Sequence, residues 1–141
     1  MDRVIVGIDS SENSTAAAEF AAELARDTGS PVVAVHALGL LERFRGGEHP
    51  VPALEQRDRV VDAFENVWCA PLVGLDVERR VVDGSPVTVL LRIADQPGDV
   101  IVLGTRGAGA VSGMSLGSTS AQLVAQAPVP VVIVPLPQPA G

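Results

Sequence analysis

The feature that most constrains this chain is its alternation of short, uninterrupted apolar runs with segments of helical periodicity. Val4-Ile5-Val6-Gly7-Ile8, Val32-Val33-Ala34-Val35, Val100-Ile101-Val102-Leu103 and Val131-Val132-Ile133-Val134 have no polar alternation. They read as strands buried on both faces. A further strand lies within Val73 to Val82; Arg79 and Arg80 interrupt its apolar pattern and place it at a sheet edge. Strands separated by helices imply right-handed crossovers and a parallel sheet. With no repeats or linkers, residues 1–141 form one doubly wound α/β domain, and residues 136–141 read as a frayed tail.

The helices carry recognisable punctuation. Asp9 to Ser14 offers several N-caps to a helix in which Ala17, Phe20, Ala21 and Leu24 recur, and Thr28-Gly29-Ser30-Pro31 stops it. Val60, Val61, Phe64, Val67 and Trp68 form a second helical stripe. Ser85 caps a third helix with Pro86 at its first position and Val87, Leu90, Leu91 and Ala94 as its buried face. A short helix is predicted from about Ser118 to Ala127, ended by Pro128 and Pro130. Gly39 to Pro52, with Gly46-Gly47, Pro50 and Pro52, reads as a loop, expected to be mobile.

Composition excludes several functions. Ten basic residues against seventeen acidic ones give a net charge of −7, which argues against general nucleic-acid binding. All ten are arginine, so any mechanism that needs a lysine is ruled out. No apolar run is long enough to span a membrane, and the opening lacks the pattern of a signal peptide. Cys69 is the only cysteine and reads as a packing residue; no intramolecular disulfide can form, so a cytoplasmic location is expected. His36 ends a buried strand and reads as a structural histidine, and His49 as a solvated one. Two histidines and one cysteine, widely spaced, show no metal-ligand pattern.

The chemistry is concentrated in Gly104 to Ser118, a stretch with five glycines. Glycines let a backbone approach a ligand, and successive N–H groups can converge on an anion. The stretch opens a helix, whose N-terminus favours phosphate, and Ser118, Thr119 and Ser120 add hydroxyls there. It also reads as a simple flexible connection, in which Thr119 and Gln122 form a capping box. Ligands in open parallel sheets sit beyond the carboxyl ends of strands where strand order reverses. Asp9, at the end of the first strand, is either a ligand contact there or only a helix cap. No Ser-His-Asp or Cys-His set and no general base can be recognised, so no catalytic residue is assigned.

The spacing Gly104-x2-Gly107-x9-Gly117-Ser118 resembles the G-x2-G-x9-G-[ST] motif of the ATP-binding branch of the universal stress protein family. VIVGIDSS from Val4 to Ser11, VAVHA from Val33 to Ala37, Gly84-Ser85-Pro86 and PVPVVIV from Pro128 to Val134 are similar to other segments of that family. The resemblance implies a Rossmann-like fold of the adenine nucleotide alpha hydrolase type, with five parallel strands in the order 3-2-1-4-5 and helices on both faces. It implies ATP as ligand, with Mg2+ held mainly by the phosphates, in a stress-response or signalling protein. Gly7, Ile8 and Asp9 would lie beside ribose and adenine, and Ala37 and Leu103 would wall the adenine. Gly104, Arg106, Gly107, Gly117, Ser118 and Thr119 would hold ribose and phosphates. It further implies a homodimer through the last strand, consistent with Val131 to Val134 being an apolar edge. A nucleotide-free dimeric interaction module of the same fold, or a slow ATPase or phosphotransferase, are the alternatives.

Overall fold

The computed structural model describes residues 2–38, 50–105 and 117–136, with the side chains of residues 50–56 outside that description. In chain order the elements are β1 (Arg3–Gly7), α1 (Glu12–Thr28), β2 (Val32–Ala37), α2 (Pro50–Ala63), β3 (Val77–Val82), α3 (Pro86–Ile93), β4 (Asp99–Gly104), α4 (Ser118–Gln126) and β5 (Val131–Val134). Helix α2 runs on into a π-helical turn, Phe64–Trp68, and a 3-10 turn, Ala70–Leu72. The five strands form one sheet in the order β3-β2-β1-β4-β5, all pairs parallel. The expected doubly wound fold is therefore the observed one. No described helix is long and apolar enough to cross a membrane.

Two cores explain the unbroken apolar strands. On one face, Val4, Val6, Val32, Ala34, Val100 and Val102 pack beneath α1. On the other, Ile5, Val33, Val35, Ile101 and Leu103 pack beneath α3 and α4. Strand β1 contributes alternate residues to both, as a two-fold strand repeat requires.

Helix α1 begins at Ser11, whose side chain accepts the Ser14 N–H at 3.1 Å, and ends at Gly29 with φ 68°. Only glycine occupies that left-handed region freely. Its buried face is Ala17, Ala18, Ala21, Ala22 and Ala25, whereas Phe20 is exposed. The periodicity was legible but its phase differs from the expected stripe: methyl side chains let α1 lie close on the sheet, and the larger Phe20 is turned outward.

Three other expectations need correction. Pro50 and Pro52 are not in a loop; they occupy the first turn of α2, where missing N–H groups cost nothing. Residues 39–49 lie outside the described part. The stripe through Trp68 is broken by the π-turn, which buries Phe64 completely and leaves Val67 64% exposed. A wider turn changes the angle per residue, so α-helical spacing no longer predicts the buried side. In α3 the buried residues are Val89, Leu90 and Ile93 with Ala94 at its end, while Val87 and Leu91 are only partly covered. Ser85 does cap α3, accepting from the Thr88 N–H.

At the amino ends of the strands, Arg3 and Asp99 stand opposite in register. Arg3 donates from Nε to Oδ1 at 2.9 Å and from Nη2 to Oδ2 at 2.7 Å. Its Nη2 also reaches the carbonyl of Ile93 at the end of α3. Asp99 is fully buried and takes a further bond from the Gln96 N–H. The Arg3 guanidinium holds the Asp99 carboxyl below the usual carboxylate range. This pair fixes β1 against β4 and ties α3 to both, far from the strands' carboxyl ends.

A candidate nucleotide site at the carboxyl ends of the strands

The chain leaves β1 toward β2 on one side and later returns to β4 on the other, so strand order reverses between β1 and β4. A cavity of about 360 Å³ opens there, lined by residues from the ends of β1, β2 and β4 and the starts of α3 and α4. Its size and position match those of small-molecule sites in open parallel sheets.

Gly7, Ile8 and Asp9 form one wall. A Cβ on Gly7 would stand 2.6 Å from Cδ2 of Leu103, so the glycine leaves room for that side chain at the cavity edge. Asp9 Oδ1 accepts the Ser11 N–H at 2.7 Å, and the Asp9 N–H donates to Ser14 Oγ at 2.8 Å. The cap of α1 is thus Ser11, while Asp9 shapes the turn before it and faces the cavity as well. The helix-cap reading of Asp9 is therefore corrected: Ser11, two residues on, is the cap.

Leu103 and Gly104 form the facing wall. An ideal Cβ on Gly104 would lie 2.6 Å from the carbonyl oxygen of Asn13 and 2.7 Å from its Cβ. The packing of β4 under the start of α1 requires the absence of a side chain there. Its carbonyl accepts from Ser120 Oγ at 2.8 Å, and Thr105 Oγ1 donates to Asn13 Oδ1 at 2.7 Å.

The glycine-rich stretch starts and finishes at one point: the Gly117 N–H donates to the Thr105 carbonyl at 2.6 Å. Arg106 and Gly107, both expected site residues, lie outside the described residues. Gly117 is the N-cap of α4 and has no side chain with which to satisfy the first N–H groups of the helix. Thr119 is the second helical residue and lines the cavity. It forms no capping box with Gln122, because the cap is two residues earlier. Ser118 is exposed at the first helical position, and neither it nor Gly117 belongs to the cavity wall. Of the expected site residues, Gly7, Ile8, Asp9, Ala37, Leu103, Gly104 and Thr119 line one cavity.

Sequence reasoning missed another side of it. His36, Leu38, Val60 and Trp68 also line the cavity. His36 Nδ1 lies 2.7 Å from the Ile8 carbonyl, and its ring meets Trp68 edge-on with centroids 5.2 Å apart. The signal for His36 was its place at the carboxyl end of a strand. Trp68 gave none, since the π-turn that aims it cannot be read from spacing. Among the described residues no cluster of His, Cys, Asp and Glu could hold a metal ion by itself.

A parallel sheet of this order, with such a cavity at the reversal point, defines the doubly wound, Rossmann-like class of α/β fold. The sequence model of the universal stress protein family matches residues 1–135, and the chain belongs to that family. A universal stress protein of Thermus aquaticus is 32% identical over 135 residues, which cover 93% of this chain and 96% of the relative. One from Mycobacterium tuberculosis is 32% identical over 141 residues; the alignment covers 96% of this chain but only 44% of that longer relative. A crystal structure of a universal stress protein in complex with cAMP superposes with a TM-score of 0.61 at 25% identity, covering 96% of this chain and 98% of that one.

Proposed function

We propose that this chain is an ATP-binding universal stress protein, a stress-response or signalling protein whose state depends on nucleotide. The observation that carries the reading is the cavity between β1 and β4, bordered by Asp9 on one side and by Gly104 and Thr119 on the other. The two ends of the glycine motif meet next to this border, where the Gly117 N–H donates to the Thr105 carbonyl. The cAMP bound by a relative supports an adenine nucleotide as the ligand class.

In this reading Asp9 bonds the ribose, and Ala37 and Leu103 wall the adenine. The start of α4, with Ser118 and Thr119, and the stretch containing Arg106, Gly107 and Gly117 meet the phosphates. Gly104 acts indirectly, by seating β4 under α1. A Mg2+ ion accompanies the phosphates and keeps several waters, as magnesium commonly does. In this reading hydrolysis is at most slow.

Isothermal titration with ATP and MgCl2 tests the proposal, alongside a Gly117→Val variant. Saturable heat from the unaltered protein, greatly weakened in the variant, is the expected result. No heat from the unaltered protein overturns it and favours a nucleotide-free interaction module.

A further inference from the structure

We infer that His36 reads the nucleobase, its Nε2 accepting a hydrogen bond from the exocyclic amine of adenine and so selecting adenine over 6-oxopurines. The inference rests on the nucleotide reading above and adds a specificity residue outside the glycine motif.

The partner of the other ring nitrogen sets the tautomer. Nδ1 lies 2.7 Å from the Ile8 carbonyl oxygen, which can only accept. In the neutral ring Nδ1 therefore carries the proton and Nε2 presents a lone pair. Among the described residues no buried, unexposed side-chain nitrogen or oxygen lacks a partner. The hydrogen bond of His36 uses Nδ1, which leaves Nε2 for another partner, and His36 is among the residues that line the cavity.

The ring is held in place. Ile8 fixes its tilt through the hydrogen bond, Trp68 meets it edge-on, and Phe64 stands behind at 6.2 Å. Leu38, Val60 and Trp68 make the surrounding surface apolar. A fixed acceptor in an apolar wall discriminates strongly. A ligand with an N–H there satisfies it, whereas a carbonyl oxygen faces lone pair against lone pair and leaves both desolvated. The 6-position of adenine bears an amine; in hypoxanthine and guanine it bears an oxygen.

The test compares ATP with inosine triphosphate, which keeps the ribose, phosphates and purine frame but replaces the amine by oxygen. The unaltered protein with MgCl2 should bind ATP roughly tenfold more tightly, the equivalent of about 1.4 kcal/mol. His36→Phe keeps an aromatic ring and removes the acceptor. It should bring the ratio close to one, mainly by weakening ATP. Should that variant fail to fold, ¹⁵N spectra of a His49→Gln background, where His36 is the only histidine, decide the matter: its Nε2 resonance should shift with ATP and not with inosine triphosphate. Equal affinity for the two nucleotides in the unaltered protein, or an unchanged ratio in His36→Phe, overturns this inference while leaving nucleotide binding intact. Absence of binding by either nucleotide overturns both.

Discussion

Gly104 ends β4 so close to Asn13 that a single methyl group on it would fall 2.6 Å from the Asn13 carbonyl oxygen. The obstacle is backbone at the start of α1, which cannot swing aside as a side-chain tip can. The first glycine of the motif is thus a packing glycine that sets the separation of the two segments bordering the cavity. Gly104→Ala should destabilise the fold by about 1–3 kcal/mol. Thermal unfolding of the unliganded protein should show a Tm lower by several degrees. An unchanged Tm would return this glycine to a role in ligand approach alone.

Gly7 behaves differently under the same substitution. Its new methyl would press on the Cδ2 of Leu103 and touch Leu90 at 3.4 Å, both the far ends of side chains rather than backbone. Gly7→Ala should cost less than about 1.5 kcal/mol in stability, because the leucine can turn. Turning it moves the adenine wall, so ATP affinity should fall by roughly tenfold, about 1.4 kcal/mol. Titration calorimetry with denaturant unfolding on the same variant separates the two effects.

The Arg3–Asp99 pair makes a pH prediction. Asp99 has its folded pKa lowered, first by the hydrogen bond from Arg3, so the folded state favours its charged form. Its contribution is fully present above the unfolded aspartate value of about 3.9 and is lost as pH falls below that toward the folded value. Asp99→Asn should lower stability near neutral pH by about 3 kcal/mol, since it removes the buried counter-charge of Arg3 and leaves only the exposed Asp95 beside it. The gap between variant and unaltered protein should narrow only below about pH 4. Urea unfolding across pH 3 to 7 measures this, and a gap independent of pH would contradict it.

The edge strand β5 predicts association. Its four residues are all half-buried, and one side of its backbone pairs with β4. The other side is a sheet edge, a template for a second strand. Light scattering at micromolar concentration should give the mass of a dimer, and a monomeric mass would contradict the expectation.

How much of this was readable beforehand differs by level. The strands were legible because burial on both faces writes itself as Val4-Ile5-Val6 or Val100-Ile101-Val102 without polar interruption. The caps at Ser85 and Gly29 were legible because capping is local chemistry. Which face of α1 is buried was not, since alanines and Phe20 compete for one stripe and close packing on the sheet favours the small residues. Half of the cavity wall was likewise hidden. Asp9, Leu103, Gly104 and Thr119 stand beside the motif, whereas Trp68 reaches the site through a π-turn and His36 through the end of a neighbouring strand. The Arg3–Asp99 pair spans 96 positions and leaves no mark on local sequence.

The central claim is that the β1–β4 cavity and the stretch from Gly104 to Ser118 form one adenine-nucleotide site. Titration of the purified, nucleotide-stripped protein with ATP and MgCl2 tests it most directly. One saturable site per chain is expected, with ATP protecting the protein against thermal unfolding in proportion to its concentration. A flat titration, with no shift in Tm at millimolar ATP, would contradict the account.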